Sequence, residues 1–108
     1  MKRRISSESK GEMSDGSQEE ILVVDDDALS RRLLAQLLTA AGYKCLVCED
    51  GSKALQIIHA KPPSLLLLDF DMPGLNGAEV LTRLRSDPDP GVAQIPVVML
   101  TAHGSEQS

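Results

Sequence analysis

Aspartates follow two of the short apolar runs in this chain. An Ile-Leu-Val-Val run precedes Asp25, Asp26 and Asp27, a run of four leucines precedes Asp69, and a third apolar run precedes Thr101. Carboxylates that lie close together repel one another, so one of them takes up a proton unless a cation joins them. Mg²⁺ prefers oxygen ligands of this kind, and an aspartate can attack phosphorus to form an acyl phosphate. The residue types therefore indicate metal-assisted phosphoryl chemistry, with Thr101 as a hydrogen-bond donor.

These acidic residues can act together only if the fold brings the ends of the apolar runs to one place. Strands are predicted at 21–24, 45–48, 65–68 and 96–100, and helices at 29–41, 52–60 and 77–85. Because strands and helices alternate, we expect right-handed βαβ units and a doubly wound, parallel α/β sheet covered on both faces. In the strand order 2-1-3-4 the first and third strands are neighbours. Asp25, Asp26 and Asp69 would then meet beyond the carboxyl ends of the strands.

Two local patterns define the edges of these elements. Leu29, Leu33 and Leu37 recur at four-residue steps and predict an amphipathic first helix that stops at Gly42. The Asp-Pro-Asp-Pro-Gly stretch over 87–91 predicts a loop that ends the third helix.

A purely structural role is also open to the acidic residues after the first strand. Asp26 or Asp27 can cap the following helix by accepting backbone N–H bonds at its positive end. Capping does not explain why Asp, Asp and Thr follow three different strands in this order. That combination favours a shared site.

Three segments together resemble the receiver domain of two-component response regulators. They are the Val-Val-Asp-Asp-Asp segment ending at Asp27, the Leu-Asp-Phe-Asp-Met-Pro-Gly-Leu-Asn-Gly segment ending at Gly77, and the Val-Met-Leu-Thr-Ala segment ending at Ala102. The resemblance extends from about Glu20 to Ala102. It implies a flavodoxin-like fold and a cytoplasmic phosphoprotein. The phosphoryl group would come from a histidine kinase or a histidine phosphotransfer protein.

The same resemblance implies a role for each site residue. Asp69 would be the phospho-acceptor and a ligand of Mg²⁺, Asp26 a direct ligand, and Asp25 a ligand through water. The backbone carbonyl of Asp71 would be a further ligand. The Thr101 hydroxyl would turn toward the phosphoryl group, and the small side chain of Ala102 would leave room for it.

The sequence departs from the family pattern at its end. Receivers continue through a fourth helix, a fifth strand ending in Lys-Pro and a fifth helix, whereas this chain stops at Ser108. We therefore expect a flexible polar tail over residues 1–19 and a C-terminally incomplete receiver over residues 20–108, belonging to a longer regulator or a hybrid histidine kinase. Without the lysine, self-phosphorylation and self-dephosphorylation of Asp69 should be slow or absent. The open edge of the fourth strand would favour a homodimer.

Two other functions are compatible with parts of the sequence. The chain could be an interaction or assembly module that is not phosphorylated. Alternatively, the apolar run followed by Asp69-Phe70-Asp71 resembles the first motif of haloacid-dehalogenase-type phosphatases, in which the second Asp is a general acid. Pro73 stands where that family has Thr or Val, which argues against it.

Composition excludes several classes of partner. The formal charge is −5, from 16 acidic residues against 11 Lys and Arg, and aromatic residues make up only 2% of the chain. Direct nucleic-acid binding and attraction to anionic membranes are therefore not expected, and no apolar stretch is long enough to span a bilayer. Cys45 and Cys48 should point to opposite faces of a strand and cannot hold one metal ion. His59 and His103 are expected to be exposed to solvent.

Overall fold

The computed structural model describes residues 19–100, in which strands and helices alternate as expected. The elements are β1 (Glu20–Val24), α1 (Ala28–Ala40), β2 (Lys44–Cys48), α2 (Gly51–Ala60), β3 (Leu65–Asp69), α3 (Gly77–Arg85), α4 (Pro90–Ala93) and β4 (Val97–Leu100). Each predicted strand and helix is present. Across residues 19–100 no helix is both long and apolar enough to cross a membrane.

The short helix α4 was not predicted. The Asp89 side chain caps it by accepting a hydrogen bond from the Gly91 N–H at 2.9 Å, and Pro90 occupies its first turn. Proline is well tolerated at that position because its missing N–H would have no intrahelical partner. The prediction of a loop over 87–91 is therefore wrong for its last two residues.

The sheet has four parallel strands in the order β2-β1-β3-β4, as predicted. Val24 pairs with Cys48 on one side and with Leu68 on the other, so the central strands β1 and β3 end side by side. Asp69 at the end of β3 pairs with Leu100 at the end of β4. This is the flavodoxin-like α/β arrangement, and it brings the carboxyl ends of all four strands to one edge.

The core lies on the sheet face that α2 and α3 cover. Alternate residues of the central strands point into it, and small or branched side chains of the two helices fill the space between them. Its fully buried members are Leu22, Val24, Leu66, Leu68, Ala54, Ile58, Val80 and Leu84. Burial of these side chains supplies the main driving force for folding.

The opposite face, over which α1 lies, is only partly covered. Leu29, Leu33 and Leu37 are 60%, 50% and 67% exposed, although their spacing predicted an amphipathic helix. The half-buried Leu34 and Leu38, one residue further along, lie on the neighbouring stripe of the helix. The helix is confirmed, but its most regular leucine stripe faces solvent. Among the strands of residues 19–100, β1 is the one buried along its whole length.

The two cysteines of β2 are free thiols. Cys45 is half-buried and Cys48 is buried. Burial raises the pKa of the Cys48 thiol to about 11. The thiol therefore stays protonated at neutral pH, and the thiolate is the form that binds metals.

Candidate functional site

Three carboxylates meet where β1 and β3 end. Asp25 and Asp26 follow β1 directly, and Asp69 is the last residue of β3. One carboxylate oxygen from each residue lies within 4.8 Å of the others. Asp25 is buried, Asp26 is exposed and Asp69 is half-buried, so the cluster opens to solvent on one side. The predicted convergence of these residues is confirmed.

The loop after β1 is fixed by hydrogen bonds that also resolve the question of helix capping. The Asp25 N–H donates to the Cys48 carbonyl at 3.2 Å, and the Asp27 N–H donates to Asp25 Oδ1 at 2.9 Å. Asp27 Oδ2 accepts from the Ser30 N–H at 2.9 Å and from the Ser30 hydroxyl at 2.8 Å. These two bonds hold the pKa of the Asp27 carboxyl below its ordinary value. Asp27 therefore caps α1, and Asp26 does not.

The orientation of Asp69 is set by the two residues that follow it. The Phe70 N–H donates to the Leu100 carbonyl at 2.8 Å and continues the pairing of β3 with β4. The Asp71 N–H donates to Asp69 Oδ1 at 3.1 Å. One oxygen of the Asp69 carboxylate is thereby held in place. The predicted metal-ligand role of the Asp71 carbonyl stays a prediction.

Burial and crowding change the acidity of Asp69. Partial burial is the largest cause that raises the pKa of its carboxyl; the negative charge of Asp25 and the hydrogen bonds of Asp25 and Asp26 act in the same direction. Against the lowering effect of the Asp71 N–H, the net pKa is about 6. Without a cation, the cluster thus holds a proton into the mildly acidic range. A divalent cation bound there would compete with that proton.

A glycine lets α3 begin against the end of β3. A Cβ atom on Gly77 would lie 2.4 Å from the Asp69 carbonyl oxygen and 2.9 Å from Phe70 Cα, which no other residue could tolerate without a shift of the backbone. The Gly77 N–H donates to the Phe70 carbonyl at 3.1 Å, and Asn76 caps the helix in a capping box with Glu79. Sequence reasoning did not identify this role, although a glycine just inside the start of a helix is an available signal.

Two predicted site residues, Thr101 and Ala102, lie outside the described residues, as does His103. The residue before them, Leu100, pairs with Asp69 at the end of the sheet. Their expected roles stay predictions.

The donor set fits a hard divalent cation. All three side chains offer carboxylate oxygen, the ligand type that Mg²⁺ prefers. Within residues 19–100, no Lys or Arg forms an ion pair with any of the three. Burial first, and the negative charge of Asp25 in addition, raise the pKa of Asp69. A bound cation would offset that negative charge.

Comparisons with known proteins agree with this geometry. Residues 21–108 match the family model described as the response regulator receiver domain. The phosphate regulon transcriptional regulatory protein PhoB of Pseudomonas aeruginosa is 42% identical over 88 residues, which are 82% of this chain and 38% of PhoB. The chain spans little more than a third of the length of the curated relatives that it matches.

Solved structures share the fold. A putative response regulator from Chloroflexus aurantiacus has a TM-score of 0.75 at 34% identity, over 82% of this chain and 70% of that one. The chemotaxis response regulator CheY4 of Vibrio cholerae has a TM-score of 0.76 at 26% identity, over 84% of this chain and 74% of that one.

Proposed function

This chain belongs to the family of response regulator receiver domains, and from that premise we propose that it accepts a phosphoryl group on Asp69 in a Mg²⁺-dependent reaction. One observation carries the proposal: three carboxylates from two neighbouring strands lie within 4.8 Å of one another. Such a cluster stores electrostatic repulsion in the folded chain. Repulsion of this kind is relieved when a cation binds, so the cluster favours a cation.

The Asp69 carboxylate is suited to act as the nucleophile. Its pKa of about 6 leaves it largely ionised at neutral pH. Oδ1 accepts the Asp71 N–H, and Oδ2 is the oxygen that we assign to the attack. Oδ2 bonds to the phosphorus of a phosphohistidine, the phosphorus–nitrogen bond breaks, and the imidazole keeps the electron pair and takes up a proton from water. The product is an acyl phosphate on Asp69.

We assign the metal ligands as the family resemblance implies. Asp26 would hold Mg²⁺ directly and Asp25 through water, and the Asp69 carboxylate and the backbone carbonyl of Asp71 would complete the protein ligands. When bound, Mg²⁺ neutralises charge on the transferring phosphoryl group. Capping of α1 by Asp27 supports this assignment, because it keeps the Asp26 carboxylate out of the helix cap.

The two residues after β4 complete the proposed site. The Thr101 hydroxyl turns toward the phosphoryl group and donates a hydrogen bond to its oxygens. The small side chain of Ala102 leaves room for the phosphoryl group. The pairing of Leu100 with Asp69 supports both assignments, because it brings the preceding residue to the same edge of the sheet.

The partners follow from the proposed reaction. The phosphoryl donor is a histidine kinase or a histidine phosphotransfer protein in the cytoplasm, acting on a receiver at residues 20–108 behind a polar tail at residues 1–19. No direct contact with nucleic acid is proposed, since the net charge is −5. A homodimer through β4 is the further partner that we propose. Val98 on this strand is 48% exposed, and β4 is the last strand of the described sheet.

The two alternatives are less well supported. In a haloacid-dehalogenase-type phosphatase the second Asp of the motif is a general acid, but the carboxylate of Asp71 is not part of the cluster that the described residues form with Asp69. A module that only assembles proteins would gain nothing from three uncompensated carboxylates. Such a module need not bind Mg²⁺ or beryllofluoride.

Labelling with acetyl phosphate tests the proposal. In the presence of Mg²⁺ the intact mass of the chain should increase by one phosphoryl group, and EDTA should prevent the increase. Asp69→Asn should abolish labelling, whereas the matched control Asp71→Asn should keep it because only the backbone of Asp71 is assigned to the site. We expect slow labelling, since no lysine pairs with the described cluster and such donors typically contribute about 10²–10³ in rate. Equal labelling of Asp69→Asn and the parent would eliminate Asp69 as the acceptor.

Binding measurements separate a slow receiver from an assembly module. The parent chain should bind Mg²⁺, and beryllofluoride in the presence of Mg²⁺, in calorimetric titrations. Failure of the parent to bind either ligand would favour the assembly function.

A further inference from the structure

Arg31 reaches back from the first turns of α1 to the loop that carries the proposed metal ligands. Its Nη1 donates a partly buried hydrogen bond to the Asp25 carbonyl oxygen at 2.8 Å. Its backbone N–H donates to the Asp27 carbonyl oxygen at 3.0 Å. One residue therefore holds the loop through both its side chain and its backbone. We infer that Arg31 is a positioning residue, which fixes the Asp25 peptide so that the carboxylates of Asp25 and Asp26 face Asp69.

Few other contacts fix the peptide between Asp25 and Asp26. The Asp25 N–H is bonded to β2, whereas the Asp25 carbonyl lies beyond the end of β1 and accepts its hydrogen bond from the Arg31 guanidinium. A hydrogen bond from a charged donor is roughly twice as strong as one between neutral groups. The planar guanidinium also approaches in a defined direction. Rotation of this peptide would move the Asp25 and Asp26 side chains, which lie on either side of it.

The charge of Arg31 and its hydrogen bond to the Asp25 carbonyl have opposite effects on Mg²⁺ affinity. A cation near the cluster disfavours Mg²⁺, so loss of the charge alone would tighten metal binding. Loss of the positioning contact would weaken it. The two roles therefore predict changes of opposite sign, and variants that separate charge from contact can decide between them.

Arg32 provides the matched control. It carries the same charge on the same helix turn, its residue is exposed, and within residues 19–100 it makes no hydrogen bond to the loop at 25–27. By calorimetric titration, Arg31→Met should bind Mg²⁺ about tenfold more weakly than the parent, as is typical when a group that orients a metal ligand is lost. Arg32→Met should bind it as tightly as the parent or slightly more tightly. Arg31→Lys keeps the charge, so any weakening in this variant comes from the lost geometry.

A second measurement needs no metal. The Asp27 N–H donates to Asp25 Oδ1, so its hydrogen exchange reports how firmly the Asp25 side chain is held. Exchange at Asp27 should become faster in Arg31→Met and in Arg31→Lys, and should stay unchanged in Arg32→Met. Amides in the middle of α1 should exchange as in the parent, which would show that the helix itself is intact.

The inference rests on the proposed function, and the two can fail separately. If the parent does not bind Mg²⁺, the proposed metal site fails, and hydrogen exchange at Asp27 still tests the role of Arg31. If Arg31→Met matches Arg32→Met in both Mg²⁺ affinity and Asp27 exchange, Arg31 acts through its charge alone and does not position the loop. If Arg31→Met does not fold, the same comparison is made with Arg31→Lys.

Discussion

The two ends of the central strand β1 carry acidic groups that are treated in opposite ways. At its amino end Glu20 is 8% exposed and lies between two lysines, with Lys44 Nζ 3.8 Å from Oε2 and Lys61 Nζ 3.8 Å from Oε1. At its carboxyl end Asp25 and Asp26 face Asp69, and within residues 19–100 no Lys or Arg forms an ion pair with their carboxylates. The chain pairs the Glu20 carboxylate with two of its own cations. It gives the carboxylates of the proposed metal site no such partner among the described residues.

Burial alone does not decide whether a carboxylate is paired with a cation of the chain. Glu20 Oε1 is buried and has no hydrogen-bond partner among the described residues, so its compensation is purely ionic. At the other end, hydrogen bonds hold the carboxylates in position but supply no positive charge to the side chains of the cluster. Positioning without neutralisation is what a cation site requires.

Removal of Asp26 should produce the largest change. We expect Asp26→Ala to abolish Mg²⁺ binding in a calorimetric titration, because Asp26 is the exposed carboxylate of the cluster and is not used as a helix cap. The matched control is Asp27→Asn, which removes the same charge from the next residue and keeps a side chain that can cap α1. It should bind Mg²⁺ nearly as well as the parent. Equal affinities of Asp26→Ala and the parent would contradict the metal assignment.

Removal of the Asp69 charge should stabilise the metal-free fold. The pKa of Asp69 is about 6 in the fold, against an ordinary value of 3.8. A raised pKa of this kind gives stability that is fully present below about pH 4 and is lost as the pH rises through 6. At pH 7 in EDTA, Asp69→Asn should therefore unfold at a higher urea concentration than the parent. Its free energy of unfolding should be greater by about 1–2 kcal/mol after allowance for solvent screening.

The difference between Asp69→Asn and the parent should narrow as the pH falls from 6 to 4, because the parent carboxyl becomes protonated over that range. Addition of Mg²⁺ at pH 7 should also narrow it, since the metal stabilises the parent by binding its folded state. A difference that is independent of pH would show that charge repulsion is not its cause.

At the amino end of β1, replacing a carboxylate by an amide should destabilise the fold, and the change in the free energy of unfolding should be smaller. Glu20→Gln removes two ion pairs whose lysine side chains are 55% and 73% exposed. Exposed pairs contribute little, so we expect a loss of less than about 1 kcal/mol in urea unfolding, and less in high salt. If Glu20→Gln stabilised the fold as Asp69→Asn does, the contrast between the two ends would disappear.

The sequence was sufficient to predict the strand order and the acidic cluster at the carboxyl ends of the strands. Four apolar runs followed by defined residue types were enough to predict the strand order and the convergence of Asp25, Asp26 and Asp69, because parallel strands bring their carboxyl ends to one edge. Periodicity was a weaker guide for α1. It identifies a leucine stripe, but it does not say which of two adjacent stripes faces the sheet, and Leu34 and Leu38 occupy that place.

Contacts between distant side chains were beyond sequence reasoning. The close approach of Gly77 to the Asp69 carbonyl depends on the angle at which α3 meets β3, and the Arg31 contact depends on a side-chain rotamer. His59 shows the same limit. It was expected to be merely exposed, yet its Nε2 lies 2.6 Å from Asp87 Oδ2, a residue 28 positions away in the sequence.

The His59–Asp87 pair joins α2 to the loop after α3 and provides the smallest of the predicted effects. His59 Nδ1 lies 2.8 Å from the Leu55 carbonyl oxygen, so both ring nitrogens face acceptors and both must donate, which requires the protonated ring. The hydrogen bond to Asp87 first, and that to Leu55 second, raise the pKa of His59 above its ordinary value of 6.5. The pKa of Asp87 is lowered chiefly by the same bond.

The pair should therefore be formed at mildly acidic pH. The contribution of His59 is fully present below about pH 6.5 and is lost as the pH rises through its raised pKa, and that of Asp87 is lost only when the pH falls through its lowered pKa. In an NMR titration of the imidazole, Asp87→Asn should lower the pKa of His59 toward 6.5, whereas Asp89→Asn, which keeps a side chain able to cap α4, should change it less. Unlike the acidic cluster, this pair is neutralised within the chain, so Mg²⁺ should leave its titration unchanged. An identical pKa in the parent and Asp87→Asn would show that the contact does not persist in solution.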